Sequence, residues 1–182
     1  MRNDYAENFY EILDTLKIRI DLMEDVKNLI RTKNIVGKAL EGGNRKEIFK
    51  DILILLVEGK IDLEESYNLV EEKIPRHTSP YRDNNRVFSD GWGERLVRTN
   101  LSKFYNQAIL IKIVESGSSV CFIPHSAYEN PDSECSRIAG SEYDAKVLLD
   151  RLVQSYEENN FTNEFKIPNH PHCTHVVMPV ID

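Results

Sequence analysis

Apolar residues recur in steps of three and four from the start of the chain: Tyr5, Phe9, Ile12, Leu13, Leu16, Ile20, Met23, Val26, Leu29 and Ile30. That spacing places them on one face of a 3.6-residue helix, so it predicts one long amphipathic helix over residues 4–32. GGN at 42–44 breaks the pattern. Asn44 with Glu47 has capping-box spacing and predicts a second helix through IFKDILILLVEG, ended by Gly59. Asp62 with Glu65 repeats the signal and opens a third helix through LEESYNLVEEK, stopped ahead of Pro75.

PRHTSPYRDNNRVFSD, residues 75–90, interrupts every periodicity with prolines, Asn and Asp pairs and mixed charge. It reads as a linker. The chain accordingly divides into a helical lobe or arm (1–75), a linker (76–90) and a part of different character (91–182). In that last part Leu96, Val97, Leu101, Phe104, Ala108, Ile111 and Val114 form a helical stripe, and Gly117 suits its C-terminal end. Val120, Phe122 and Ile123 favour a short buried strand. HSAYENPDSECSRIAG reads as a loop, and Ser141 is placed to cap a helix through YDAKVLLDRLVQSYEEN. EFKIP and CTHVVMPV supply two short extended pieces. The expected fold class is α+β: a helical N-terminal lobe or arm, then a small C-terminal domain with a long helix, short antiparallel strands and a Cys/His-containing loop.

Composition narrows the picture. With 41% hydrophobic and 29% charged residues the chain is neither disordered in bulk nor membrane-like. It has no apolar run near the ~18–20 residues of a spanning helix, and its polar start predicts no signal peptide. A net charge of −7 argues against a whole-surface grip on nucleic acid. Three cysteines make no disulfide framework and point to a reducing compartment.

The chemistry concentrates near the C-terminus. NHPHCTHVV, Asn169 to Val177, holds three of the five histidines and one of the three cysteines. Thiolate and imidazole are the ligands zinc prefers. His170, Cys173 and His175 offer two or three ligands locally, and Cys135 in NPDSEC is the natural remote partner, with Cys121 and His125 in reserve. The loop and the terminal stretch must both close onto the same short sheet, which predicts that Cys135 and Cys173 lie close together. A sulfur separation above about 7 Å would exclude a shared zinc with bonds of about 2.3 Å. There is no C-x-x-C pair to make the zinc pattern specific, so a small buried cysteine and solvated terminal histidines are the competing account.

Other chemistries find less. Cys121 sits in an apolar strand, and Cys135 follows Asp132 and Glu134, whose charges oppose a thiolate nucleophile. The carboxylates fall in surface runs, and no phosphate-cradling glycine loop or nucleophile elbow is present. No catalytic residue is expected. Arg95, Arg98, Asn100, Lys103 and Asn106 make a polar stripe on the long helix, with Arg95, Arg98 and Asn100 as candidate binding residues: either the stripe is an exposed face, or Arg98, Thr99 and Asn100 hold a neighbouring loop by hydrogen bonds.

In order along the chain, RLVRTNLSKFYNQA, a D-x-x-C…G loop (Asp132, Cys135, Gly140) and a terminal HP-x-C (His170, Pro171, Cys173) resemble the phage Mu F-like minor head (head morphogenesis) proteins. The resemblance covers residues 91–180. Arg95, Arg98, Thr99, Tyr105 and Asn106 match that family's helix motif, in which Asn100 replaces a glutamate. Ile138 stands where a second loop cysteine is usual, and Thr174 where an arginine is. The resemblance implies a non-enzymatic, low-copy component of the capsid interior that associates with the portal and other head proteins. It acts there in head assembly or in DNA packaging or ejection, and in some members engages the packaged DNA. It further implies a location in the virion, and in the host cytoplasm during assembly. Residues 1–75 would then be an arm for a partner. Two readings compete with it: a small zinc-dependent hydrolase or nuclease with His170, His172 and His175 at an open site, and a bacterial protein-binding regulatory module.

Overall fold

The structure, a computed structural model, describes residues 4–180. Helices α1 (Ile12–Ile18), α2 (Ile20–Thr32), α3 (Arg45–Val57) and α4 (Leu63–Lys73) precede a 24-residue helix α5 (Trp92–Glu115). Then follow β1 (Val120–Ile123), α6 (Glu134–Ile138), β2 (Ser141–Asp144), α7 (Ala145–Tyr156) and β3 (Met178–Pro179). The strands form one antiparallel sheet in the order β2-β1-β3, with Cys121 opposite both Tyr143 and Pro179. The chain is thus α+β as expected, and residues 4–74 contain no strand.

Helix α5 is the axis. It packs against α2 and α4 on one side and against α7 and the sheet on the other. Val97, Leu101, Phe104, Tyr105, Ile109 and Leu110 are all almost fully buried. Gly93 lets α4 come close, because a Cβ there would stand 2.9 Å from Glu71 Cγ and 3.2 Å from the Tyr67 carbonyl oxygen. One hydrophobic cluster runs from Ala6 through Leu22, Leu53, Phe104 and Leu148 to Val177. Residues 4–74 therefore lie against α5 as a lobe, and they share its core.

Several local expectations are corrected. The first helix is broken at Arg19, whose ψ of 79° leaves the helical region. Its guanidinium binds both carboxylate oxygens of Asp21 at 2.9 and 2.8 Å and the Asp4 carbonyl at 3.1 Å. The capping box at Asp62–Glu65 forms in both directions, at 2.8 Å each. The one expected at Asn44–Glu47 does not, since Asn44 makes no side-chain cap. Buried Arg45 organises that entrance instead, donating to the carbonyls of Ala39, Ile74 and Pro75 at 2.9, 2.7 and 2.8 Å. Arg45 also donates to Thr78 Oγ1 at 2.8 Å, which tethers residues 76–90, and that segment buries Ser79 and Phe88. Ser141 opens β2, and Asp144 caps α7 by accepting from Val147 N–H at 2.9 Å. Within the stretch read as loop, Ser133 caps the short α6. Of the two C-terminal extended pieces only Met178–Pro179 joins the sheet; EFKIP does not.

The polar stripe of α5 is a larger correction, because it is not an exposed face. Arg98, Asn100, Lys103 and Asn106 are all buried. Lys103 Nζ donates to the Asn34 carbonyl at 2.9 Å and lies 3.7 Å from Glu157. Tyr105 and Asn106 fasten segments near both ends of the described chain to α5: the Tyr105 hydroxyl accepts from Ala6 N–H at 2.9 Å, and Asn106 Oδ1 accepts from Val177 N–H at 2.8 Å.

Candidate metal centre

Two segments with little regular structure meet at the end of the sheet. The first leaves β1 through Pro124 and turns back into α6, where Ser133 caps the first turn and Cys135 points into the protein. Gly140 N–H closes this segment by donating to the Ile123 carbonyl at 2.7 Å. The second is the C-terminal stretch after α7. Its backbone is pinned mainly from outside: the Tyr156 hydroxyl donates to the Pro168 carbonyl at 2.7 Å, and Phe9 N–H donates to the Thr174 carbonyl at 2.8 Å. A tight turn, Cys173 N–H to the His170 carbonyl at 3.0 Å, then brings both residues toward α6.

The result is a cluster. The sulfurs of Cys135 and Cys173 and a ring nitrogen of His175 all lie within 4.8 Å of one another, and all three residues are buried. His170, expected as a fourth ligand, is not part of that group; it reaches in from the solvent side, with Nε2 3.6 Å from Cys135 Sγ. The expected approach of Cys135 and Cys173 is thereby met, well inside the 7 Å limit. The two reserve residues stand elsewhere. Cys121 lies in β1, its thiol raised to about 11 by burial, and His125 is exposed. His172 is also exposed and outside the cluster.

The protonation of the cluster follows from its geometry. The Cys135 thiol donates to Cys173 and, with help from His175, holds the Cys173 thiol well below the usual range against the opposing effect of burial. Cys135 moves the other way, raised by its hydrogen bond to Cys173, by burial and by the Cys173 charge it faces. Burial works against a charged His175, but Cys173 and Glu129 outweigh it and raise its pKa. His175 is 1% exposed, its Nε2 lies 2.6 Å from Glu129 Oε2, and its Nδ1 has no hydrogen-bond partner among the described residues. A buried imidazole nitrogen without a partner beside two cysteine sulfurs suits a metal ligand: Cys135, Cys173 and His175 can hold a metal ion.

The binding residues expected on α5 serve other ends. Arg95, not among the residues expected to hold a loop, donates to the Asp90 and Ser89 carbonyls just ahead of α5 at 2.6 and 3.1 Å. Arg98 is buried over the Phe9 ring at 4.7 Å and reaches the Tyr10 hydroxyl at 3.3 Å. Asn100 donates to the Leu96 carbonyl of its own helix at 2.8 Å. Glu129 was not singled out in the sequence. A carboxylate four residues after His125, in the loop that leads to Cys135, is the signal that marks it. No family model, curated protein or solved structure matches this chain.

Proposed function

We propose that Cys135, His170, Cys173 and His175 bind one zinc ion that fastens the C-terminal stretch to α6, and that the protein is a non-enzymatic phage minor head protein. The observation that carries the zinc reading is the unpartnered Nδ1 of buried His175 beside the two sulfurs. Tetrahedral zinc with bonds of about 2.3 Å to sulfur and 2.0–2.1 Å to nitrogen sets neighbouring ligand atoms roughly 3.3–3.8 Å apart. The 3.6 Å between His170 Nε2 and Cys135 Sγ suits that spacing. Two thiolates and two imidazoles also match a structural site, which is closed by four protein ligands.

The head-protein role draws its support from the order of the Mu F-like motifs and from where they come together. Asn106 of the helix motif holds Val177 of the C-terminal segment, while Cys135 of the loop and Cys173 of the terminal HP-x-C meet in the cluster. On this reading the protein occupies the capsid interior next to the portal, and its helical lobe is a packed base for that contact.

The test is metal analysis and native mass spectrometry of the purified protein, alone and with a portal ring. One zinc per chain, no hydrolysis of nucleic acid or ester, and co-migration with the ring are expected. Purified protein that takes up no zinc would remove the first half of the proposal, and zinc-loaded protein that ignores the ring would remove the second. One observation favours a second reading: His170 is the exposed ligand. If it swung aside, two cysteines, one histidine and a water would resemble an open catalytic zinc. His170→Ala separates the two, since a structural site loses stability and a catalytic site keeps or gains turnover.

A further inference from the structure

The carboxylate of Glu129 joins the exposed surface to the buried cluster. Its Oε2 lies 2.6 Å from His175 Nε2 and accepts from Ser126 N–H at 3.2 Å, while its Oε1 lies 2.8 Å from His125 Nδ1. These three contacts leave the carboxylate one orientation. The His125 ring lies against Gly140, where a Cβ would stand 2.6 Å from His125 Nε2. Gly140 has a φ of 75°, a backbone conformation that favours glycine there.

An ionised carboxylate only accepts hydrogen bonds, so each imidazole must present an N–H to it. For His175 that places the hydrogen on Nε2 and the lone pair on Nδ1. We infer that Glu129 is the positioning residue of the metal centre: it fixes the His175 tautomer and ring orientation so that Nδ1, and not Nε2, binds the ion. The inference rests on the metal reading above and deepens it. A carboxylate behind a ligating imidazole makes the imidazole a better donor, and losing such a partner typically weakens metal binding about 10–100-fold.

Long-range proton–nitrogen NMR of zinc-loaded protein reads the tautomer directly. The expected result is a metal-bound Nδ1 and a protonated Nε2 on His175; a metal-bound Nε2 would overturn the inference. Zinc affinity by chelator competition, with cobalt(II) absorption as a reporter of the ligands, supplies the second arm. Glu129→Ala should bind zinc about 10–100-fold more weakly while the cobalt form keeps its two-thiolate charge-transfer bands. Glu129→Gln, whose amide oxygen still accepts from Nε2–H, should recover part of the loss. Equal zinc affinity in wild type and Glu129→Ala would sink the inference and leave the zinc site standing. Wild-type protein that binds neither zinc nor cobalt would overturn the metal reading and this inference together. If Glu129→Ala does not fold, the tautomer of the wild type decides alone.

Discussion

The helical lobe (residues 4–74) is fastened to α5 and the stretch after α7 (157–180) to α5 and α7, by a different balance of forces. In the lobe, helices satisfy their own backbone groups, and Leu22, Val26, Phe49, Leu53 and Leu56 vanish into the core. Burying one such side chain is worth roughly 1.5–3 kcal/mol, so the attachment is spread over many small contributions. The C-terminal stretch contributes only the two residues of β3 to the sheet. Ile167, Val176 and Val177 are buried, and specific partners hold the backbone: Tyr156 on the Pro168 carbonyl, Arg151 on the Phe165 carbonyl and Asn106 on Val177 N–H. Distributed burial fails gradually. A few point attachments fail together, and a metal ion is a compact way to add one more.

Metal removal gives the sharpest test of that contrast. At a free zinc level about 1,000 times the dissociation constant, bound zinc adds about 4 kcal/mol. Chelation, or Cys173→Ser, should lower the melting temperature accordingly. Amide exchange should rise after residue 157 while α2 and α3 stay protected. Uniform exchange across both regions would end the comparison.

Next in size is Leu53→Ala, which should cost about 3 kcal/mol by leaving a cavity in the lobe. Denaturant titration with and without zinc should return the same loss to within about 0.5 kcal/mol, because the two sites share no partner. A loss that depends on zinc would show that the regions are coupled.

Lys103 joins the two regions, since its ammonium meets Asn34 from one and Glu157 from the other. Burial lowers its pKa to about 8 from an ordinary 10.5. Below pH 8 both folded and unfolded states hold the proton and the burial cost is borne in full. Between about 8 and 10.5 the unfolded state holds the more protons, so Lys103 makes stability rise with pH. The wild type should gain on Lys103→Met across that window by about 2–3 kcal/mol, at about 1.36 kcal/mol per pKa unit and allowing for relaxation. An unfolding free-energy difference that is flat in pH would place the ammonium in water. The smallest effect belongs to a cap within the lobe. Asp62→Ala should cost about 1 kcal/mol with no dependence on metal, read as a small drop in thermal midpoint.

What the amino-acid order decided alone is the part governed by local rules. The span and ends of α3, α4 and α5, the Asp62–Glu65 capping box and the short strand at Val120–Ile123 follow from periodicity, cap spacing and chain breakers. The approach of Cys135 to Cys173 was legible too, because two segments flanking one small sheet have little choice of where to close. Other features needed the folded chain. The break at Arg19 depends on a guanidinium that binds Asp4 and Asp21 at once, and the turn into α3 on an Arg45 that finds carbonyls from Ala39 to Pro75. A polar residue on a helix face looks solvated until distant segments bring it partners, as Asn34 does for Lys103 and Val177 for Asn106. Glu129 is one carboxylate among 30 acidic residues until the fold sets it 2.6 Å from a buried imidazole. Helical periodicity and capping act within a few residues, so the sequence displays them; the partners that make burial of a polar group affordable come from tens of residues away, and only the tertiary structure chooses them.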